Sequence, residues 1–170
     1  DTLRNIGGAS ASGHFQIEGT TGNTSSLSLI NNQNNANMAL LRIAKTRGTS
    51  DGAVTTVANG DNLGGITFTG ADGTDLENST AQIRAIVNGT VAGNQIPTDI
   101  LFETSATDGS SISEKVRIAS DGDITISPDG DPIVTITGSG HPQVNLTSTS
   151  GTDHCSVNFG DSDDNNAGMI

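Results

Sequence analysis

The side chains able to do chemistry in this chain are mostly carboxylates. Asp and Glu number 19 among 170 residues, with three His and one Cys. Asp72/Asp75, Asp121/Asp123 and Asp129/Asp131 form close pairs, and two carboxylates flanking one bond are what glycoside hydrolysis requires. Each pair also contains an Asp-Gly step, where a short acceptor side chain beside a Cβ-free residue is what a tight turn demands. Nothing in the spacing brings a pair into a common pocket, so turn formation outweighs catalysis for all three.

Asp161-Ser162-Asp163-Asp164-Asn165 begins as a calcium loop does, with oxygen ligands at positions one, three and five. Position six is Asn166 where such a loop needs Gly, and the chain stops before a twelfth-position Glu. A solvated turn is expected there, with calcium or another cation as the minority alternative. His14, His141 and His154 have no ligand spacing and are expected at a surface or interface. One His per chain would form a metal site only by meeting its copies on a symmetry axis, and His154 beside Cys155 is the most interesting of the three. Cys155 alone makes no internal disulfide and reads as a small buried residue.

The Asn-x-Ser/Thr sequons at Asn23, Asn78, Asn88 and Asn145 are what chance yields in an Asn/Ser/Thr-rich chain. Gly60-Asp61-Asn62-Leu63-Gly64-Gly65 lacks the Lys and the strand-to-helix setting of a phosphate loop. No catalytic, cofactor-binding or metal residue is assigned, and no cofactor is expected.

The elements that would have to position these groups are short strands. Ile, Leu, Val and Phe together make 37 of 170 residues, about 22%, and Gly makes 22. Trp and Tyr are absent. Such a chain builds narrow, turn-rich structure and buries too little apolar surface alone to offset its conformational entropy. Neighbouring copies are therefore expected to complete each core layer. A net charge of −12 excludes nucleic acid as a partner, because seven basic residues make no phosphate footprint. No apolar run approaches the roughly 20 residues of a membrane span, so no membrane insertion is expected. The chain begins without Met and ends on Met169-Ile170, and is expected to be a segment of something longer.

Period-two alternation marks the strands. The clearest is Gly64–Thr69, with Ile66 and Phe68 alternating with Thr67 and Thr69, closed by Gly70 and Asp72-Gly73. Others are expected at 14–18, 26–30, 38–45, 53–57, 80–87, 99–104 and 114–118, then at 123–127, 133–137, 143–147 and 155–159. Over 38–45 a helix competes, but eight residues without a Ser/Asp cap favour a strand. Asn88-Gly89 is expected to turn the chain after 80–87. Residues 1–13 are expected as a lead-in linker, 14–126 as one β-rich module and 127–170 as a second, shorter one.

An ordered series of motifs then carries a resemblance. Leu40-Leu41-Arg42-Ile43, Thr46-Arg47-Gly48, Asn59-Gly60-Asp61-Asn62-Leu63-Gly64-Gly65-Ile66-Thr67-Phe68, Gly70-Ala71-Asp72-Gly73, Ala81-Gln82-Ile83-Arg84-Ala85, Asn88-Gly89-Thr90, Pro97, Leu101-Phe102-Glu103-Thr104 and Glu114-Lys115-Val116-Arg117-Ile118 follow in that order. Over about residues 15–126 this series resembles bacteriophage tail-fibre shaft modules of the kind found upstream of endosialidase-type C-terminal chaperone domains. Asn158-Phe159-Gly160-Asp161-Ser162-Asp163-Asp164-Asn165 looks like a second shaft motif of such fibres. The family often has Glu-Arg-Met-Arg-Ile where this chain has Glu114-Lys115-Val116-Arg117-Ile118, which keeps the charge pattern. The chaperone domain and its self-cleavage site are not in the 170 residues, so no proteolysis carries over.

The resemblance implies a homotrimer of parallel chains, side by side or intertwined. The expected fold is all-β: an elongated trimeric fibre of short strands and Gly/Asp/Asn-rich turns, a triple-stranded β-helix or β-prism-like shaft. Ile66, Phe68, Ile83, Phe102, Val116 and Ile118 are expected to face the shared core. The expected role is structural and not enzymatic: a virion tail-fibre segment that spaces and presents a host-recognition element. Its expected partners are its own copies, other tail or baseplate proteins, and a host receptor reached through a neighbouring tip. Two rivals stand beside this reading. One is a carbohydrate-binding or depolymerising spike, poorly equipped for sugar stacking without Trp or Tyr. The other is a Thr-rich ice-binding β-solenoid, whose Thr67/Thr69 and Thr135/Thr137 do not recur at a fixed period.

Overall fold

The computed structural model describes residues 5–8, 15–106, 109, 111–127, 134–137, 144 and 146, together with the backbone of 158–159 and 168–169. It comprises two compact units, Asp1–Pro132 and Ile133–Ile170. No helix occurs among the described residues.

The first unit is built on a five-stranded antiparallel meander. Its strands are β1 (Asn62–Thr69), β2 (Ser79–Val87), β3 (Thr98–Ser105), β4 (Ile112–Ile118) and β5 (Ile124–Ile126), each paired with its sequence neighbour. All five arise where β-branched or aromatic residues alternate with polar ones, as the sequence pattern requires. Short corners join them. In the β4–β5 corner Ala119 N donates to Asp123 O and Gly122 N to Ala119 O, while Asp121 Oδ1 accepts from Asp123 N at 3.1 Å. Gly122 takes φ +98°, a backbone that favours glycine. The β1–β2 corner is tied by Asp72, whose Oδ1 accepts from Thr74 N and Asp75 N and whose Oδ2 accepts from Asn78.

The β2–β3 connection differs from expectation. Asn88-Gly89 does not close a hairpin, because both residues are held by long-range bonds. Asn88 N donates to Pro97 O, its side chain donates to Asp99, and Gly89 N donates to Asn59 Oδ1. The reversal comes later, at an Ala92/Gln95 bridge with Asn94 in the left-handed region at φ 61°. Asn tolerates that conformation better than most residues.

The expected strands before Asn62 are absent as strands. Among the described residues of 15–57 none belongs to a ladder. Phe15, Ile17, Leu27, Leu29, Met38, Leu41 and Ile43 are exposed. The alternation is real, but among the described residues no other strand lies beside it to complete a ladder. Locally, Arg47 N donates to Thr55 O, and Thr46 Oγ1 bonds both the N–H and the carbonyl of Thr55. Arg47 then grips Asp61 at both carboxylate oxygens, at 2.7 and 2.8 Å. Asp61 also accepts from Ala58 N. The guanidinium first, and that N–H second, hold the Asp61 carboxyl far below the usual carboxylate range.

In the second unit β6 (Asn158–Phe159) pairs antiparallel with β7 (Gly168–Met169). Residues 134–137, 144 and 146 belong to no strand, although strands were expected at 133–137 and 143–147.

Candidate functional site

The register of the meander sorts its side chains onto two unlike faces. Ile66, Ile83, Phe102, Val116 and Ile126 are aligned in one rung that crosses all five strands. Beside it lie Gly64, Ala85, Ile100, Ile118 and Ile124, and on the other side Phe68, Ala81 and Thr104. No residue in these rungs is charged. This apolar face is open: Phe68 is 53% exposed, Ile66 49% and Phe102 38%. The six residues expected to face a shared core, Ile66, Phe68, Ile83, Phe102, Val116 and Ile118, all lie on it.

The opposite face holds the charges, and it is the better covered of the two. Arg84 grips Glu103 through Nε and Nη2, each at 2.7 Å, and reaches Asn62 Oδ1 through Nη1 at 2.6 Å. Gln82 also donates to Glu103. Arg117 donates through Nη1 to Asp99 at 2.5 Å and through Nε to Glu114 at 2.8 Å. Asp99 accepts further bonds from Asn88 Nδ2 and Ser120 N. It has no solvent-exposed surface, and Leu101, next but one on the same face of β3, is 1% exposed between Arg84 and Arg117.

Burial alone would push the Asp99 carboxyl up, but Arg117, Asn88 and the Ser120 N–H outweigh it and hold the group below its ordinary value. Glu103 is held low first by Arg84, against burial and with help from Gln82. Arg117 is raised beyond its already high value by Glu114 and Asp99. No buried side-chain nitrogen or oxygen lacks a partner among the described residues. A fully paired network of this kind rigidifies the sheet it spans.

A register shift brings Glu114 into the network. Phe102 pairs with Val116 but Glu103 pairs with Glu114, so Lys115 is the extra residue of a bulge, and its carbonyl accepts from Ser127 N. Asp99, Glu103, Arg84 and Arg117 were not among the residues expected to carry a role. The signal was present for three of them all the same, since Arg84, Glu103 and Arg117 each adjoin a residue assigned to the apolar face, Ile83, Phe102 and Val116.

Of the acidic pairs, Asp72/Asp75 and Asp121/Asp123 lie in separate corners, β1–β2 and β4–β5. Asp121 and Asp72 cap turns through their own backbone neighbours. The Thr74 and Asp75 N–H groups hold the Asp72 carboxyl below its ordinary value. No group of three His, Cys, Asp or Glu that would hold a metal exists among the described residues. Asp129, Asp131, His14, His141, His154, Cys155 and the acidic run at 161–165 lie outside the described residues.

Among solved structures, the chain is similar to the carboxy-terminal domain of the bacteriophage T5 L-shaped tail fibre. It shares 16% identity with that domain at a TM-score of 0.52, covering 76% of this chain and 46% of the other. The same domain solved with its intramolecular chaperone domain gives 16% identity and a TM-score of 0.54, covering 81% of this chain and 33% of that one. The chain thus spans less than half the length of either structure. At this identity the likeness is one of fold: an all-β tail-fibre fold. No protein-family model matches the chain, and no curated protein matches it.

Proposed function

We propose that this chain is a shaft module of a bacteriophage tail fibre, in which three copies meet through the apolar face of the meander. The observation that carries the proposal is that face, a charge-free surface of Ile, Phe and Val left open on a sheet whose fold is that of a tail fibre. Covering the exposed part of each Ile or Phe is worth about 1 kcal/mol. The opposite face satisfies its own charges and suits contact with water.

In this reading Ile66, Phe68, Ile83, Phe102, Val116 and Ile118 form the inner layer and the Arg84/Glu103 and Arg117/Asp99 network lies outside. The module acts in the virion as a spacer, holding a host-recognition element away from the particle and joining other tail or baseplate proteins. It performs no reaction. The carbohydrate-cleaving rival loses support from its own carboxylates, since Asp72 and Asp121 are spent on turns.

Light scattering with sedimentation velocity tests the proposal. A particle of three times the chain mass with a high frictional ratio is expected. A compact monomer at micromolar concentration overturns it.

A further inference from the structure

Two Asn-Gly steps occur in the 170 residues, Asn59-Gly60 and Asn88-Gly89, and the fold lays one against the other. Gly89 N donates to Asn59 Oδ1 at 2.9 Å. Gly60 N donates to Val87 O at 2.8 Å, and Val87 N donates to Asp61 O at 2.9 Å. The Asn88 side chain is held in turn, its Nδ2 donating to Asp99 Oδ2 at 2.6 Å. Neither glycine is replaceable without strain, since Gly60 takes φ +86° and Gly89 φ +140°. The backbone thus requires glycine after each Asn. That dipeptide is a chemically labile one, because no Cβ shields the nitrogen that follows the Asn side chain.

We propose that Asn59 and Asn88 are latent deamidation sites, kept shut by the contact between their two segments. The nucleophile is the glycine nitrogen: Gly89 N attacks Asn88 Cγ, the Cγ–Nδ2 bond breaks, and Nδ2 leaves as ammonia with the Gly89 amide proton. Water then opens the cyclic imide to Asp or isoaspartate, with no change of oxidation state. Gly60 N and Asn59 Cγ react in the same way. In the folded chain both nucleophiles are committed as hydrogen-bond donors, and the bond that occupies Gly89 N also pins the Asn59 side chain. Burial does not supply the protection, since Asn59 and Asn88 are both exposed to water. One local opening of the contact between 59–61 and 87–89 therefore releases both sites.

At Asn88 the change is one-way. Asp99 has no solvent-exposed surface. Deamidation replaces the donor that lies 2.6 Å from its carboxylate with a second carboxylate, and like charges at that separation cannot both stay ionised without cost. An isoaspartyl link also adds a carbon to the backbone, which displaces Asn88 N from Pro97 O. The module then loses the clamp at the start of the β2–β3 connection and cannot regain it.

Peptide mapping by mass spectrometry during prolonged incubation of the whole chain tests this. In native protein, Asn59 and Asn88 are expected to convert at least about 10-fold more slowly than in the same chain held unfolded in urea. Equal rates in the two states overturn the proposal. Asn59→Ala removes the acceptor of Gly89 N and is expected to speed conversion of Asn88 about 5-fold, the worth of one hydrogen bond, whereas Asn59→Asp keeps an acceptor and should leave it slow. No rise with Asn59→Ala in folded protein, or an equal rise with Asn59→Asp, overturns it. A further variant does not depend on Asn59→Ala folding: Asn88→Asp installs the product, and should lower the urea midpoint of unfolding and speed conversion at Asn59. An unchanged midpoint with Asn59 still slow means that the two sites do not share one contact, and the proposal falls.

Discussion

Glu103 on β3 and Glu114 on β4 stand directly opposite one another, and each is gripped at both carboxylate oxygens by a different arginine, Arg84 and Arg117. Opposed like charges ordinarily weaken a ladder. Here the Lys115 bulge creates the opposition and the arginines cancel it. Glu103 is 6% exposed, so Arg84→Gln would leave it nearly buried with Gln82 as its remaining side-chain donor. A loss of about 2 kcal/mol is expected in denaturant unfolding. Adding Glu103→Gln should return most of it, because the penalty is the uncompensated charge. A double variant no more stable than the single one would mean that the arginine acts through packing instead.

The same network sets a pH dependence. Asp99 and Glu103 both have carboxyls held below their ordinary values in the folded chain. The unfolded chain therefore binds protons more readily as pH falls, and the stabilisation is fully present above the unfolded carboxylate values, near pH 4. It is lost as pH drops further through the folded values. Calorimetry should show Tm flat from about pH 7 to 5 and falling below about pH 4. A Tm already falling between pH 7 and 6 would point to other titrating groups.

Ile43 and Gly64 form a pair that a double-mutant cycle can isolate. A Cβ at position 64 has no room while Ile43 holds its place. Gly64→Ala should therefore destabilise the native particle by about 1 kcal/mol, and should do so far less in an Ile43→Ala background. Additive effects within about 0.3 kcal/mol would mean that residue 43 does not dock on β1.

The sequence revealed the meander well because each of its strands carries its own evidence. Ile66/Phe68, Ile83/Ala85, Ile100/Phe102 and Val116/Ile118 alternate, and the observed registers bring those positions onto one face. The stretch before Asn62 has the same local pattern at Leu27/Leu29 and Leu41/Ile43 and yet forms no strand. Alternation reports which side of a strand wants burial and is silent about which chain supplies the partner. Asn88-Gly89 failed as a turn for a related reason, since bonds to Asn59, Pro97 and Asp99 overrode a local preference. Glu114 joins Arg117 on one face only through the bulge at Lys115, and a one-residue register shift leaves no mark in composition or period.

Leu101 and Phe102 are adjacent in β3 and point to opposite faces, so truncating them separates folding from assembly. Leu101 is already buried by its own chain, and Leu101→Ala should cost about 3 kcal/mol of folding stability at any protein concentration. Phe102 is 38% exposed in the single chain, and in the proposed trimer neighbouring copies would cover the rest. Phe102→Ala should lose about 1 kcal/mol per copy at the interface, or about 3 kcal/mol for three copies. That corresponds to roughly a 100-fold weaker assembly. Sedimentation across a dilution series should show this variant dissociating at concentrations where the parent protein stays assembled, while its far-UV circular dichroism keeps the β signal. If dilution affects the two variants alike, the Ile66–Phe102–Ile126 rung is not where the copies meet.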